Sequence, residues 1–443
     1  MPTSRLLAAT SVLVLVAGSA VGVGACGSDG APGSSGPAGA TGQVGPPGAT
    51  LVDGGAATIA SLPVSCLSPC HGFTGVVSQF ETSGHFAAYK TYLGTDTATE
   101  WTATGTACGN CHAIDALQQR VAGNVLTSSG GVVANLASGE LQYRNPATLA
   151  LGTSTYGGAA LTAEVYCTTC HAVTNANDPH KTGLPFVPGS FPLQIPATAA
   201  AINIEKSPSI ASVVGTQATD SSGAGFAAAA TCMWCHRSRV DVTNYLKDTG
   251  NAITSTHWGP HEGPQADVFT GTGGYQYTGK TYAQSTHEQK LTCISCHMVP
   301  VAENGNIPDH SFAPNITACK SCHAGATSFD VNGAQARVKS AMTEIETWLN
   351  AHGLLTRAEV APYTALTTVQ LGDGTWATDQ PVPGSMIAGA ALTRDQAGAV
   401  YNYILVARGG AFGVHNPIYV SQILWDSYFA LAGTPLVTIP GRP

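Results

Sequence analysis

Charge is what this chain has least of. Asp, Glu, Lys and Arg make up 10% of its 443 residues, against about a quarter in an ordinary soluble domain. With a formal net charge of −8, nothing offers the clustered Lys and Arg that a nucleic acid backbone requires, so nucleic acid drops out as a partner. Long apolar runs are missing too. Apart from the N-terminus, no stretch is long and apolar enough to cross a bilayer as a helix. Methionine is scarce at five, one of them the initiator, which limits it as a metal ligand. Hydrophobic residues, at 44%, are ordinary, and the length allows one large domain or two to three smaller ones. Glycine, at 52, is plentiful. With Thr, Ser, Ala and Pro it fills the loops, as in an exported surface protein with long irregular segments.

The N-terminus pairs Arg5 with an apolar stretch densest at residues 12–17, the pattern of an export signal. Val23-Gly24-Ala25-Cys26 resembles a bacterial lipobox, which predicts a signal peptide over residues 1–25 and a lipid on Cys26. The alternative is an ordinary cleaved signal with a cysteine beside it. Glycine then recurs every third residue from Gly27 to Gly48. That is the period of a collagen triple helix, although with so little proline the reading taken is a flexible tether over residues 26–62. A cysteine-bearing region is expected over 63–330 and a helical region over 331–443. In the latter, Ala334, Val338, Ala341, Ile345 and Leu349 recur at helical spacing. Thr393 with Gln396 forms a capping-box start, and Asn416-Pro417 starts a last helix that ends before Gly433.

Thirteen cysteines are present, and all but Cys26 fall into six pairs. Five pairs read C-x-x-C-H: Cys108/Cys111/His112, Cys167/Cys170/His171, Cys232/Cys235/His236, Cys293/Cys296/His297 and Cys319/Cys322/His323. The sixth, Cys66-Leu67-Ser68-Pro69-Cys70-His71, has one more residue between its cysteines. C-x-x-C-H is the attachment signature of c-type haem. Two thiols a turn apart meet the two vinyl positions on one edge of the porphyrin, and the next residue lies under the iron as its proximal ligand. A zinc site would need four ligands but no histidine after every second cysteine. A dithiol needs one such pair, and a disulfide framework leaves the histidines unexplained. The count expected is six haems, or five if the Cys66–Cys70 pair is instead a local disulfide.

Of the 14 histidines, eight lie outside the motifs: His85, His180, His257, His261, His287, His310, His352 and His415. Six irons with two histidines each would use six of them, a pattern that saturates the iron and favours electron transfer. His415 is backed first, then His257, His261, His287 and His310, then His85 and His180, with His352 as a surface residue. Arg237, Arg239, Tyr275 and Tyr277 could surround a five-coordinate, reactive haem, or equally serve as propionate contacts or packing.

Residues 232–330, above all the runs at 256–298 and 307–326, together with Gly413-Val414-His415-Asn416-Pro417, resemble multihaem cytochromes related to pentahaem nitrite reductase and octahaem hydroxylamine oxidoreductase. His287, residues 293–298, His310, residues 319–323 and His415 match that group's pattern. The resemblance implies a mainly α fold with extensive loops, a core packed with haem, and C-terminal helices. It departs at one point: the lysine-bearing motif of the nitrite reductases, C-x-x-C-K, does not occur. The expected function is therefore electron transfer along covalently bound haems at the cell envelope, by a lipid-anchored protein at the outer membrane, on its periplasmic face or at the cell surface. Its partners would be redox proteins or a terminal acceptor, with an oligomer or filament as a further assembly. The alternative is an oxidoreductase of small nitrogen or sulfur compounds at one five-coordinate haem, with the deviant Cys66–His71 site as its candidate.

Overall fold

The computed structural model describes residues 70–71, 75–87, 109–112, 114, 117–118, 125–126, 140–144, 151–155, 165–182, 191–195, 225–238, 242, 246–248, 250–252, 258–261, 263–302, 307–352 and 392–443. The signal, Cys26, the glycine tract, Cys66, Cys108, Arg239 and His257 lie outside them. In chain order the elements are α1 (Val76–Glu81), α2 (Gly109–His112), β1 (Val125–Leu126), β2 (Glu140–Arg144), β3 (Leu151–Thr155), α3 (Cys167–Cys170) and α4 (Pro179–Thr182). Then come α5 (Gly225–Cys235), α6 (Gln265–Thr270), α7 (Thr286–Lys290), α8 (Cys293–His297), α9 (Ile316–Lys320), a 3₁₀ turn (Val331–Gly333), α10 (Ala334–Ala351), α11 (Arg394–Gly409) and α12 (Pro417–Ala432). The three strands pair antiparallel in the order β1-β2-β3. Helix and loop dominate, as the sequence predicts.

The C-terminal helices form the main core. Val338, Ala341, Ile345 and Leu349 of α10 are buried against Val400, Tyr403 and Ile404 of α11 and Val420, Ile423 and Leu424 of α12. Their ends follow the local chemistry. The Thr393 hydroxyl accepts from the Gln396 N–H, and the Gln396 side chain accepts from the Thr393 N–H, two orphan donors satisfied reciprocally. Asn416 caps α12 through its side chain, Pro417 occupies the first turn, and Gly433 closes the helix in the left-handed conformation.

Upstream, apolar packing is thin. A second cluster joins Leu117, Ile195, Ala230, Met233, Trp234, Ala266 and Phe269 around α5 and α6. Between the two cores runs the loop at residues 271–285. Asn402 holds it like a strand partner: its side-chain oxygen accepts from the Tyr275 N–H and its amide donates to the Tyr275 carbonyl. Tyr275 donates its hydroxyl to Asp395, and Tyr277 donates to the Asp395 carbonyl. These tyrosines dock the loop on α11.

Candidate functional site

Each described motif is a single helical turn. The His171 N–H donates to the Cys167 carbonyl, that of His236 to Cys232 and that of His323 to Cys319, at 2.7–3.0 Å. Such i to i+4 bonds put two cysteines three apart on one face, with the histidine directly beyond. The residues between the cysteines fix the turn. The Ser295 hydroxyl accepts from the Thr292 N–H at 3.0 Å and that of Thr169 from the Tyr166 N–H at 3.0 Å, so the third position of each motif caps its own helix start. In α5 the intervening Met233 and Trp234 are instead fully buried and anchor the turn in the smaller core.

The turns crowd together. Cys235 Sγ lies 4.0 Å from the Cys111 carbonyl. The Cys232 and Cys293 thiols hydrogen-bond each other. Burial, with Cys232 and Cys167 alongside, pushes the Cys170 thiol up to about 12, and burial with Cys319 nearby raises Cys296. The Cys232 motif therefore neighbours three others, and the Cys293 motif joins it to the Cys319 motif.

Cys322 is exposed, as is Cys167, whereas Cys319 is half-buried. The reason is local. Helix α9 ends at Lys320, and Cys322 lies in the turn beyond it. Lys320 and Ser321 are exposed beside it, so this polar end of the motif faces water. The Ser321 hydroxyl donates to Cys322 Sγ at 3.8 Å. The Cys319 motif thus presents one thiol inward, toward Cys296, and one at the surface.

Histidines from distant segments face the motif histidines. Ring centres are 5.7 Å apart for His71 and His180, 5.9 Å for His85 and His236, 6.2 Å for His171 and His310, 6.3 Å for His287 and His323, and 6.2 Å for His297 and His415. Two imidazoles on opposite sides of one metal ion have centres roughly 6 Å apart, given an imidazole–metal bond of about 2 Å and the half-width of each ring. The spacing thus suits a shared iron. Each pair unites one motif histidine with one from elsewhere, including the deviant motif at Cys70–His71.

Several of the other ring nitrogens are engaged. Nδ1 of His171, His287, His297 and His310 lies 2.7–2.9 Å from the carbonyls of Phe191, Val414, Phe312 and Pro308, and Nδ1 of His180 lies 3.1 Å from Asp178 Oδ1. An Nδ1–H donated in this way leaves Nε2 with its lone pair for a metal. Burial and the adjacent His236 lower His85 to about 4. Burial, then His297, His287 and His236, lower His415 to about 3. Both are neutral at physiological pH, the ligating form.

Other candidates fall elsewhere. His352 stacks on Trp348 at 3.7 Å and is exposed, as predicted. The His261 N–H donates to the Ser238 carbonyl just beyond the Cys232 motif. Arg237 is buried, with Nε donating to the Trp234 carbonyl. The pairing of histidines from distant segments was not readable from spacing, since His85 faces a motif some 150 residues away and His415 one more than 100 away. Among the described residues, no group of three or more His, Cys, Asp or Glu side chains converges as a zinc cage would, and all ten described cysteines are free of disulfides.

No family model matches the chain. It is 24% identical over 383 residues to the C-type polyheme cytochrome OmcB of Geobacter sulfurreducens, covering 77% of this chain and 47% of the relative. It is 25% identical over 244 residues to the C-type polyheme cytochrome OmcC of the same organism, covering 44% of this chain and 29% of that one. The chain thus spans about half, or less, of the length of these relatives. A solved structure, that of the outer cell wall cytochrome OcwA, aligns over 81% of this chain and 50% of its own at 18% identity and a TM-score of 0.36, too low to assign a fold.

Proposed function

We propose that this chain, a c-type cytochrome with several covalently bound haems, relays single electrons between haems ligated by two histidines each. The facing histidine pairs carry this reading. The haem supplies one-electron iron chemistry. The chain's own residues attach it, ligate it and set its environment. Cys66/Cys70, Cys108/Cys111, Cys167/Cys170, Cys232/Cys235, Cys293/Cys296 and Cys319/Cys322 would form the thioethers of six haems, with the Cys322 thioether at the exposed rim of the cluster. The axial pairs would be His71 with His180, His236 with His85, His171 with His310, His323 with His287 and His297 with His415. For His112 the partner would come from His257 or His261, which follow the Cys232 motif in sequence.

The crowding of the turns supports a relay from the Cys319 motif through the Cys293 motif to the Cys232 motif, which the Cys111 and Cys170 motifs also flank. Lipidation at Cys26 would tether the relay to an outer membrane, with a redox protein or external acceptor as partner. The resemblance to nitrite reductase and hydroxylamine oxidoreductase would require one iron with an open face. A histidine facing each of five motifs, the deviant one included, favours the relay.

Electron paramagnetic resonance of the oxidised protein tests this. The paired rings meet at 78°, 67° and 83° for His71/His180, His85/His236 and His287/His323, but at 31° and 41° for His171/His310 and His297/His415. Near-perpendicular and near-parallel imidazoles give low-spin ferric signals of different anisotropy, so these five pairs should give three strongly anisotropic signals and two rhombic ones. A high-spin signal that moves on adding nitrite or hydroxylamine would overturn the relay.

A further inference from the structure

We infer that Phe312 is a shared positioning residue for the axial ligands of three haems, an inference that rests on the ligation proposed above. Its ring packs edge-on against His85, with centres 5.0 Å apart, and against His310 at 5.8 Å. Its carbonyl accepts from His297 Nδ1 at 2.9 Å. Those three histidines belong to the Cys232, Cys167 and Cys293 motifs respectively.

The backbone explains how one residue reaches all three. Phe312 has φ 56°, a left-handed conformation that crowds a Cβ and that an aromatic residue seldom adopts. Such strain persists where surrounding contacts over-determine it, and it marks sites where direction matters. Here the left-handed turn aims the carbonyl at His297 while the ring sits between His85 and His310. The segment is pinned on the other side as well, since the His310 N–H donates at 2.9 Å to the side chain of Gln79 in α1, the helix that leads to His85. The ring thereby sets the rotation of two imidazoles, and the carbonyl sets the tautomer and basicity of the third. Both are levers on a haem's electronic structure that act from outside the ligand set.

The two roles separate by substitution. In Phe312→Gly the ring is lost, but glycine holds a positive φ readily, so the carbonyl keeps its place. In Phe312→Ala the ring is lost and the Cβ penalty remains, so the turn relaxes and the carbonyl swings away. Oxidised holoprotein of each variant, with haem content verified, is compared with wild type by electron paramagnetic resonance. Signals are assigned with His85→Ala, His310→Ala and His415→Ala, each of which converts one haem to high spin. The expected result is that Phe312→Gly shifts two low-spin signals, those of His85/His236 and His171/His310, and that Phe312→Ala shifts the His297/His415 signal as well. Should Phe312→Gly fail to take up its haems, Phe312→Leu, which keeps bulk and loses the aromatic edge, is expected to shift the same two. A Gly or Leu spectrum that overlays wild type, or one in which every signal moves alike, overturns the inference. High-spin wild-type signals from these haems would instead overturn the ligation on which it rests.

Discussion

Asp178 sets one histidine apart from the rest. The His180 Nδ1 faces a carboxylate, whereas four others face neutral carbonyls, and His415 Nδ1 is buried without an acceptor. A carboxylate draws the imidazole toward imidazolate, strengthens it as a donor and stabilises the ferric state. Replacing Asp178 with Asn should therefore raise the midpoint potential of the haem at His71/His180 and leave the others in place, as followed by spectroelectrochemical titration. Asp267 gives a pH signature. It is fully buried, and burial raises its carboxyl to about 6 from the usual 3.8, against the Ser238 N–H and hydroxyl that donate to it and the nearby Arg237. The folded state thus holds this proton more tightly than the unfolded chain. Stability should be greatest below pH 4 on this account, fall by roughly 3 kcal/mol as pH rises to 6, and stay level above. Asp267→Asn should abolish that fall, measured as the difference between the two proteins in denaturant titrations from pH 4 to 7.

Among the elements, α11 shows steric fit overruling propensity. Gly398 lies mid-helix, where alanine would ordinarily gain about 1 kcal/mol. A Cβ there would meet the Tyr275 ring at 2.0 Å. The ring cannot step aside, because its hydroxyl is bonded to Asp395 and its backbone to Asn402. Overpacking costs about 1–3 kcal/mol, so Gly398→Ala should lower the midpoint of thermal unfolding rather than raise it. The starts of α11 and α12 were legible in the chain, because a capping box and an Asn-Pro start act within one turn. The docking of the 271–285 loop was not, because Asn402 and Tyr275 are far apart in sequence and neither pattern announces the other.

Across the molecule, the two cores differ in kind. The C-terminal helices bury a broad apolar surface, while the motif-bearing part has the small cluster around Trp234. Haem attachment should therefore hold the upstream part together much as a structural metal does in a small domain. Chain made without haem attachment should lose residues 63–330 quickly to limited proteolysis, while the fragment spanning α10 to α12 survives longer. Pyridine haemochrome should count six haems per chain, and Cys66→Ala with Cys70→Ala should reduce the count to five. Among the described residues no helix is long and apolar enough to cross a membrane. Attachment through Cys26, expected from the lipobox-like Val23-Gly24-Ala25-Cys26, is checked by mass spectrometry for a lipidated N-terminal peptide.

Sequence alone determined the attachment chemistry, since C-x-x-C-H is a local device: one helical turn carries both thiols and the histidine, and nothing distant is needed to form it. It also supplied the pool of candidate second ligands by count. How deeply each motif lies was not legible in this way, as the exposed Cys322 shows, because burial depends on what packs over a turn. Which histidine faces which motif was likewise decided only by the tertiary structure. Opposite faces of one iron must be served by separate segments, and chain separation says nothing about which segments packing brings together. His415 was singled out by its place at a helix start, and it does face His297. His85 ranked near the end, yet it faces His236, brought there by the segment that Phe312 and Gln79 hold in place.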